Sequence, residues 1–405
     1  MFKTKSKIIP NLTDRIPEFN YMKQSDIYMD NACQNMRPQP VIDSLNDYYT
    51  TYNACSGRVK YKWGQKVDSQ IEATRELVIN YLGLPSKDYI CSFTLNTTYG
   101  INLILNQLPN KTYKRVITSE IEHNSVFLPT IELAKRLEIE RKILERSEDG
   151  GLIYDKNDLL QAIVVVNSTS NIDGRLLINI KQLIKDTHKS GGIVIIDAAQ
   201  TMAHYHEILV GCNADAICFS AHKMYAASLG VIVVRKDLLK SLSHNFVGGG
   251  MVSSVQEQSY TLLADEMTSL LEPGLQAYDA IISLKTAIEW LKTTKPNGLN
   301  PNEYVAKLSN QLYEGLLKIP EITIFNHKPS TVISIYSSKI DAHRLAIFLS
   351  TNGIMTRSGY FCCHYYLLEK LKMPPLLRFS IGLNTTENEI TKTLEIISKI
   401  TKGLK

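Results

Sequence analysis

Short apolar runs alternate with amphipathic helical patterns through the middle of the chain, and this alternation restricts the fold more than any other feature. Helical patterns at 97–108, 124–137 and 179–191 separate the first four of the apolar runs, which lie at 89–93, 114–119, 162–169, 192–199, 215–220 and 230–235. Strands that alternate with helices predict a mostly parallel sheet whose two faces are both covered. We therefore predict an α/β fold with a mostly parallel central sheet and helices on both faces.

The last third of the sequence changes character. A long amphipathic pattern at 274–294 is followed by the turn-rich stretch "KPNGLNPNE", and then by helix and strand patterns in mixed order. This change predicts a smaller C-terminal α+β domain. We expect an N-terminal segment (1–30) that joins the small domain, a large domain (31–294) and the small domain itself (295–405).

Composition excludes several classes of function. The net charge is +5 over 405 residues without a basic block, so a nucleic-acid partner is not indicated. No apolar run is long enough to span a membrane, and the first residues lack the apolar core of a signal peptide. Seven irregularly spaced cysteines then favour reduced thiols and a cytoplasmic protein, and without a C-x-x-C pair no metal site is predicted.

Two charged residues stand at the ends of neighbouring predicted strands. Asp197 ends the apolar part of one run, and Lys223 follows the next. A buried carboxylate needs a cation or several N–H donors, and a buried lysine is costly unless its amine is used. Taken singly, Asp197 is equally consistent with a cap or a structural ion pair, and Lys223 with a solvated lysine. Together they are the pair that pyridoxal phosphate (PLP) needs, a lysine for a Schiff base and an aspartate for the ring nitrogen.

Other polar residues at predicted strand ends suit the remaining parts of PLP. Thr97 and Thr98 lie at a strand-to-helix turn, where N–H groups and hydroxyls bind phosphate, although a threonine helix cap is the common alternative. Ser220 and His222 flank the lysine and offer further donors. His123 is placed to stack on a flat ring, although a lone histidine there is usually a solvated loop residue. No G-x-G-x-x-G follows a strand, so a dinucleotide is not indicated.

These motifs, in this order, resemble the class V aminotransferase group of fold-type I PLP enzymes, and most closely its cysteine desulfurase and selenocysteine lyase branch. The similar segments are "YMDNACQNMRPQPVIDSLNDYY", "TTYGIN", "SEIEHNS", "STSNIDG", "DAAQ", "SAHK", "RSGYFCC" and "LLRFSIGLNTTENEI". The resemblance covers almost the whole chain. It implies the PLP-dependent transferase fold of type I and an enzyme that acts on an amino acid.

The resemblance also assigns roles to individual residues. It implies Lys223 as the Schiff-base lysine, His123 as the stacking histidine, Asn171 as the partner of the phenolic oxygen, and Arg378 as the clamp on the substrate carboxylate. The implied cofactor-binding set is Thr97, Thr98, His123, Asn171, Asp197, Gln200, Ser220, His222 and Lys223. The implied substrate-binding set is Asn31, Gln34, Arg357 and Arg378.

The cysteine pair decides between activities within this family. The pattern R-x-G-x-x-C maps onto Arg357, Gly359 and Cys362, which makes Cys362 the expected nucleophile and persulfide carrier. Cys363 follows directly, and "CCHYY" departs from the usual C-A-x-P. Packing of both cysteines in a loop without a catalytic role therefore remains an alternative.

Two further departures concern the substrate and the partner subunit. Gln34 replaces a threonine near the expected substrate carboxylate, and Leu275 replaces a threonine that often contacts the cofactor phosphate of the neighbouring subunit. A homodimer with a shared active site is still expected.

Three hypotheses follow. The first is a cysteine desulfurase that converts L-cysteine to L-alanine and passes sulfur from Cys362, if required to an acceptor protein. The second is a lyase, epimerase or aminotransferase that acts on another amino acid without a persulfide. The third is a cofactor-binding scaffold without turnover, against which the complete lysine, aspartate, histidine and arginine set argues.

Overall fold

The computed structural model describes residues 14–57, 59–109, 113–263 and 266–403, so the first 13 residues of the predicted N-terminal segment lie outside the described residues. The strands are β1 (Ile27–Tyr28), β2 (Tyr89–Thr94), β3 (Arg115–Ser119), β4 (Glu140–Leu144), β5 (Ala162–Asn167), β6 (Ile193–Asp197), β7 (Ala216–Ser220), β8 (Gly230–Arg235), β9 (Val252–Val255), β10 (Tyr260–Leu262), β11 (Ile322–Ile324), β12 (Val332–Ser337), β13 (Ile354–Met355), β14 (Arg357–Gly359) and β15 (Leu376–Ser380).

The α-helices are α1 (Gln39–Thr51), α2 (Lys62–Tyr81), α3 (Thr97–Gln107), α4 (Asn124–Leu137), α5 (Ile180–Lys189), α6 (Lys236–Ser241), α7 (Tyr278–Thr293), α8 (Pro301–Leu317), α9 (Ala342–Thr351) and α10 (Glu387–Gly403). A π-helix spans Tyr365–Lys370, and a short 3₁₀-helix spans Ala221–Lys223.

The chain forms two compact units. The larger unit consists of Cys33–Trp290 and Tyr360–Met373, and the smaller unit consists of Met1–Ala32, Leu291–Gly359 and Pro374–Lys405. The domain boundaries predicted at residues 30 and 294 remain predictions about the folding units.

The larger unit contains a seven-stranded sheet in the order β2-β8-β7-β6-β5-β3-β4. Its strands are parallel except β8, which runs antiparallel to both β2 and β7. All six side chains of β5, "AIVVVN", are buried, as expected for a strand covered on both faces. The predicted mostly parallel sheet is confirmed.

Polar turns follow the carboxyl ends of these strands. Because parallel strands end at the same edge of a sheet, the residues after β2, β3, β5, β6 and β7 collect there. The turn after β2 is packed unusually tightly against the first residue of β8. A Cβ added at Gly230 would lie 2.5 Å from the backbone nitrogen of Asn96, so only glycine lets the two backbones approach.

The smaller unit contains an antiparallel sheet in the order β11-β12-β15-β14 together with helices α8, α9 and α10. Strand β1 pairs in parallel with β13, which brings the residues after Tyr28 into this unit. The predicted smaller C-terminal α+β domain is confirmed in its element types. No helix within the described ranges is long and apolar enough to cross a membrane.

Candidate active site

Asp197 is the last residue of β6 and is 5% exposed. Its neighbours in register are Asn167 on β5 and Cys218 on β7. Burial raises the pKa of the Asp197 carboxyl, while a hydrogen bond from the Ala199 backbone N–H (2.9 Å to Oδ1) and the charge of Lys223 oppose that rise. The carboxylate therefore needs a further cationic or N–H partner to be fully stabilised as an anion.

Lys223 ends the 3₁₀-helix that follows β7 and is half-buried. Its backbone is fixed by Asn35, whose side-chain Nδ2 donates to the Lys223 carbonyl at 2.6 Å. The Asn35 backbone N–H also donates to the carbonyl of His222 at 2.9 Å. Sequence reasoning missed Asn35, because nothing in its neighbourhood marks a residue that bonds to a backbone almost 190 positions away.

His222 faces a cationic environment. Burial, the charge of Lys223 and the charge of Arg37 together lower the pKa of its imidazole from 6.5 to about 4. Its Nδ1 is buried and has no hydrogen-bond partner among the described residues. The positive charges of Lys223 and Arg37 also favour a bound anion, such as a phosphate.

The turn between β2 and α3 supplies hydroxyl groups. The Thr97 N–H donates to Ser220 Oγ at 3.0 Å, and the two side-chain oxygens are 2.6 Å apart. The Thr98 hydroxyl lies 2.6 Å from Ser125 Oγ on α4. The structure therefore brings the predicted phosphate residues Thr97 and Ser220 into direct contact.

His123 caps the N-terminus of α4. Its Nδ1 accepts a hydrogen bond from the Ser125 N–H at 3.0 Å and lies 2.8 Å from Ser125 Oγ. An acceptor at Nδ1 places the proton of the neutral ring on Nε2. The cap thus fixes both the tautomer and the direction of the ring.

Glu122 precedes His123 and is 1% exposed. It accepts hydrogen bonds from the Asn167 N–H (2.7 Å) and from the Ser119 hydroxyl. Burial raises the pKa of this carboxyl from 4.5 to about 7, against the charge of Arg146 and the two hydrogen bonds. Sequence reasoning missed Glu122, because it lies in the polar stretch "SEIEHNS", where a carboxylate is usually solvated.

The cysteine loop, defined as residues 360–364, belongs to the larger unit. Cys362 is half-buried and Cys363 is 0% exposed. Asn171 donates from Nδ2 to the carbonyl of Phe361 at 2.8 Å, so the predicted cofactor residue contacts this loop. Gln200 lies half-buried in the turn after β6, and Gln34 is exposed.

The smaller unit holds the remaining predicted residues. Arg357 on β14 and Arg378 on β15 are cross-strand neighbours, and both face Asp30. Arg378 Nη2 lies 3.0 Å from Asp30 Oδ1, and Arg357 Nη1 lies 3.8 Å from Asp30 Oδ2. Asn31 is buried and donates from Nδ2 to the Ser380 carbonyl at 2.9 Å. Two guanidinium groups against one carboxylate leave a surplus positive charge.

The residues of the larger unit fit PLP. The unpartnered His222 nitrogen, two nearby cations and the hydroxyls of Thr97 and Ser220 form a donor set for a phosphate. Asp197, buried with a raised pKa, suits a protonated ring nitrogen. Within the described part of the chain, no group of three or more histidine, cysteine, aspartate or glutamate side chains is placed to hold a metal ion.

Comparisons with known proteins identify relatives that match almost the whole chain. The chain is 27% identical over 382 residues to a probable cysteine desulfurase from Vibrio cholerae. The alignment covers 92% of this chain and 93% of that protein. It is 27% identical over 394 residues to a probable cysteine desulfurase from Pyrococcus abyssi, with 95% of this chain and 96% of that protein covered.

Solved structures give the same result. An apo cysteine desulfurase from Thermococcus onnurineus NA1 superposes with a TM-score of 0.83 at 26% identity, over 94% of this chain and 95% of that one. A cysteine desulfurase from Escherichia coli shares the fold with a TM-score of 0.84 at 22% identity, over 96% of this chain and 98% of that one. The family model described as aminotransferase class-V matches residues 27–393, and the protein therefore belongs to the aminotransferase class-V family.

Proposed function

We propose that the protein is a PLP-dependent cysteine desulfurase, which converts L-cysteine to L-alanine and carries the sulfur as a persulfide on Cys362. The class V family to which it belongs is PLP-dependent. The relatives from Vibrio cholerae and Pyrococcus abyssi are named probable cysteine desulfurases, and the similarity spans more than nine-tenths of their lengths.

One observation supports this reaction most directly. The backbone N–H of Asn124, next to the proposed stacking histidine, donates to the Cys362 carbonyl at 2.6 Å. On the other side, Asn171 holds the Phe361 carbonyl. A thiol-bearing loop held by Asn171 and by the residue after His123 lies beside the proposed cofactor-binding residues, where a desulfurase needs its second nucleophile.

When bound, PLP supplies an electron sink that stabilises negative charge on the substrate's carbon atoms. In our proposal Lys223 holds it covalently and then moves protons, and Asp197 pairs with its ring nitrogen. His123, with its tautomer fixed by Ser125, would stack on the ring. The other groups that would hold the cofactor are Thr97, Thr98, Asn171, Gln200, Ser220 and His222.

The substrate carboxylate is assigned to the smaller unit. Arg378 is held by Asp30 and presents a planar fork of donors, which suits bidentate binding of a carboxylate. Arg357 shares that aspartate and adds positive charge. Asn31 and Gln34 complete the proposed substrate set.

The sulfur step belongs to Cys362. Its thiolate attacks the sulfur atom of L-cysteine, an S–S bond forms, and the substrate's C–S bond breaks. The electron pair of the broken bond stays with the carbon skeleton, which takes up a proton and leaves as alanine. Sulfur thus ends on the enzyme as a persulfide, and an acceptor protein or a thiol removes it. The comparisons do not favour the alternative lyase, epimerase or aminotransferase.

We further propose a homodimer in the cytoplasm. In the single chain several large apolar side chains of the larger unit are exposed, among them Trp63, Val255, Tyr260 and Leu275. A second subunit that covered them would remove this apolar surface from water. All seven cysteines are free thiols, which suits a reducing compartment.

The test uses purified protein with PLP, L-cysteine and a thiol reductant. We expect equal amounts of alanine and sulfide from the native protein, and loss of both products in Cys362→Ser with the cofactor still bound. Cys55→Ser, which removes an exposed thiol elsewhere, is the matched control and keeps full activity. Alanine formation that survives in Cys362→Ser would rule out the persulfide.

A further inference from the structure

Cys363 is a buried thiol that the proposed reaction does not use. Its Sγ lies 3.1 Å from Asn171 Oδ1 and 3.7 Å from the Phe361 carbonyl oxygen. A thiol donates a hydrogen bond only in its protonated form, so this geometry describes a donor rather than a nucleophile. The adjacent Cys362 differs, because it is partly open to solvent.

Asn171 bonds to the chain on both sides of Cys362. Its Nδ2 donates to the carbonyl of Phe361 at 2.8 Å, and its Oδ1 accepts from the thiol of Cys363. The first bond requires the amide nitrogen on the Phe361 side, which leaves the oxygen on the Cys363 side. One side chain therefore bonds to the backbone of the residue before the nucleophile and to the thiol of the residue after it.

The backbone between these two contacts is strained. Phe361 has φ +49° and Cys362 has φ +58°, the left-handed region that residues other than glycine rarely adopt. Such a conformation persists only where surrounding contacts enforce it. Two backbone hydrogen bonds assist these contacts, from Asn124 N–H to the Cys362 carbonyl (2.6 Å) and from Cys363 N–H to the Tyr360 carbonyl (2.8 Å).

The π-helix after the loop is fixed as well. Tyr365 stacks on Phe127 with ring centroids 4.5 Å apart, and the Tyr366 hydroxyl accepts from Arg175 at 3.1 Å. Lys370 forms an ion pair with Glu145 at 2.9 Å. Because the segment that follows is held by stacking, hydrogen bonding and charge, a change at Cys363 acts on the short left-handed stretch rather than on the helix.

We propose that Cys363 is a positioning residue: its thiol, as a hydrogen-bond donor to Asn171, holds the left-handed backbone that presents the Cys362 thiol. The proposal rests on the proposed function in that Cys362 is the nucleophile. It also gives Asn171 a second role, because the same side chain then binds the cofactor and holds the cysteine loop in place. A donor is needed at position 363, and a nucleophile is not.

The test compares Cys363→Ala, which removes the donor, with Cys363→Ser, which keeps an O–H donor. The holoenzyme is treated with iodoacetamide, the rate of alkylation at Cys362 is followed by peptide mass spectrometry, and kcat and KM for alanine formation are measured. Cys212→Ala is the matched control, since Cys212 is a buried thiol that precedes β7 and lies outside the cysteine loop.

We expect Cys363→Ala to raise the alkylation rate of Cys362 about fivefold, because the released loop exposes its thiol, and to lower kcat about tenfold with little change in KM. Cys363→Ser and Cys212→Ala stay within twofold of the native protein. Equal behaviour of the alanine and serine variants, or an unchanged alkylation rate in Cys363→Ala, would overturn the positioning role. Absence of alanine formation by the native enzyme would overturn the proposed function alone, because alkylation is measured without substrate.

Discussion

The two regions assigned to cofactor and substrate control charge in opposite ways. In the larger unit burial has the largest effect on ionisation. It raises the pKa values of Glu122 and Asp197 and lowers that of His222, so each group is shifted towards its neutral form. In the smaller unit pairing decides, because Arg357 and Arg378 share Asp30 and keep a net positive charge.

This difference supports the proposed assignment of the two regions to cofactor and substrate. A buried group that is shifted towards its neutral form is stabilised in its charged form by an opposite charge on a ligand. PLP would supply such charges with its phosphate and its ring nitrogen. A fixed surplus of positive charge suits a small anion that binds and leaves in each turnover, such as a substrate carboxylate. Substitutions in the larger unit should therefore lower kcat, and substitutions in the smaller unit should raise KM.

The largest expected effect is in the larger unit, at Asp197. Asp197→Asn keeps the shape of the side chain and removes its charge, so the ring nitrogen of PLP loses its anionic partner. We expect kcat to fall on the order of 100-fold to 1,000-fold, as for other preorganised electrostatic contacts, with KM nearly unchanged. Asp237→Asn, at an exposed ion pair with Arg235, serves as the control. A kcat within threefold of the native value would assign the ring nitrogen to another residue.

The pH dependence of stability at Glu122 tests whether burial controls ionisation in the larger unit. Its pKa is raised from 4.5 to about 7, so the proton it holds stabilises the folded protein. That contribution is complete below pH 4.5 and is lost as the pH rises through about 7. The loss amounts to about 3 kcal/mol at 1.36 kcal/mol per unit of pKa.

Glu122→Gln cannot ionise and should escape this loss. The free energy of unfolding of the variant, relative to the native protein, should rise between pH 4.5 and pH 8 by the amount just given. Chemical denaturation at several pH values measures it, with the exposed Glu145→Gln as the control. A difference that does not vary with pH would mean that the pKa of Glu122 is the same in the folded and the unfolded protein, and would contradict the effect of burial.

The smallest expected effect is in the smaller unit. Arg378→Lys keeps the charge and the pairing with Asp30 but loses the planar fork. We expect KM for L-cysteine to rise about tenfold, since one charge-assisted hydrogen bond is lost, with kcat and cofactor absorption unchanged. Arg344→Lys on α9 is an exposed control. A drop in kcat without a change in KM would break the proposed division of labour between the units.

Much of the fold was open to sequence reasoning because its signals are local. Strands β2, β3, β5, β6, β7 and β8 were all predicted from short apolar runs, and the structure confirms them within two residues at their ends. Edge strand β4 was missed, because "ERKIL" has three charged residues followed by only two apolar ones and so lacks the continuous apolar run of a central strand. The reversed direction of β8 is also invisible in its sequence, since "GVIVVR" suits either direction.

The site divides in the same way. The places of Asp197 and Ser220 at strand ends were predictable because each lies at the end of an apolar run, and that of Thr97 because a helical pattern begins there. Asn35 and Gly230 were not, because their importance comes from contacts with the backbones of Lys223 and Asn96, far away in sequence. The cysteine loop is intermediate: its pattern singled out Cys362, but the bond between Cys363 and Asn171 arises only from folding.

Mass spectrometry of a single turnover tests the central claim most directly. The holoenzyme is mixed with one equivalent of L-cysteine without reductant, digested under acid conditions, and both cysteines of the loop are resolved by fragmentation. Our account predicts a gain of about 32 Da, one sulfur atom as a persulfide, on Cys362 and none on Cys363, together with one equivalent of alanine. A gain on Cys363, or alanine without any added sulfur on the loop, would contradict it.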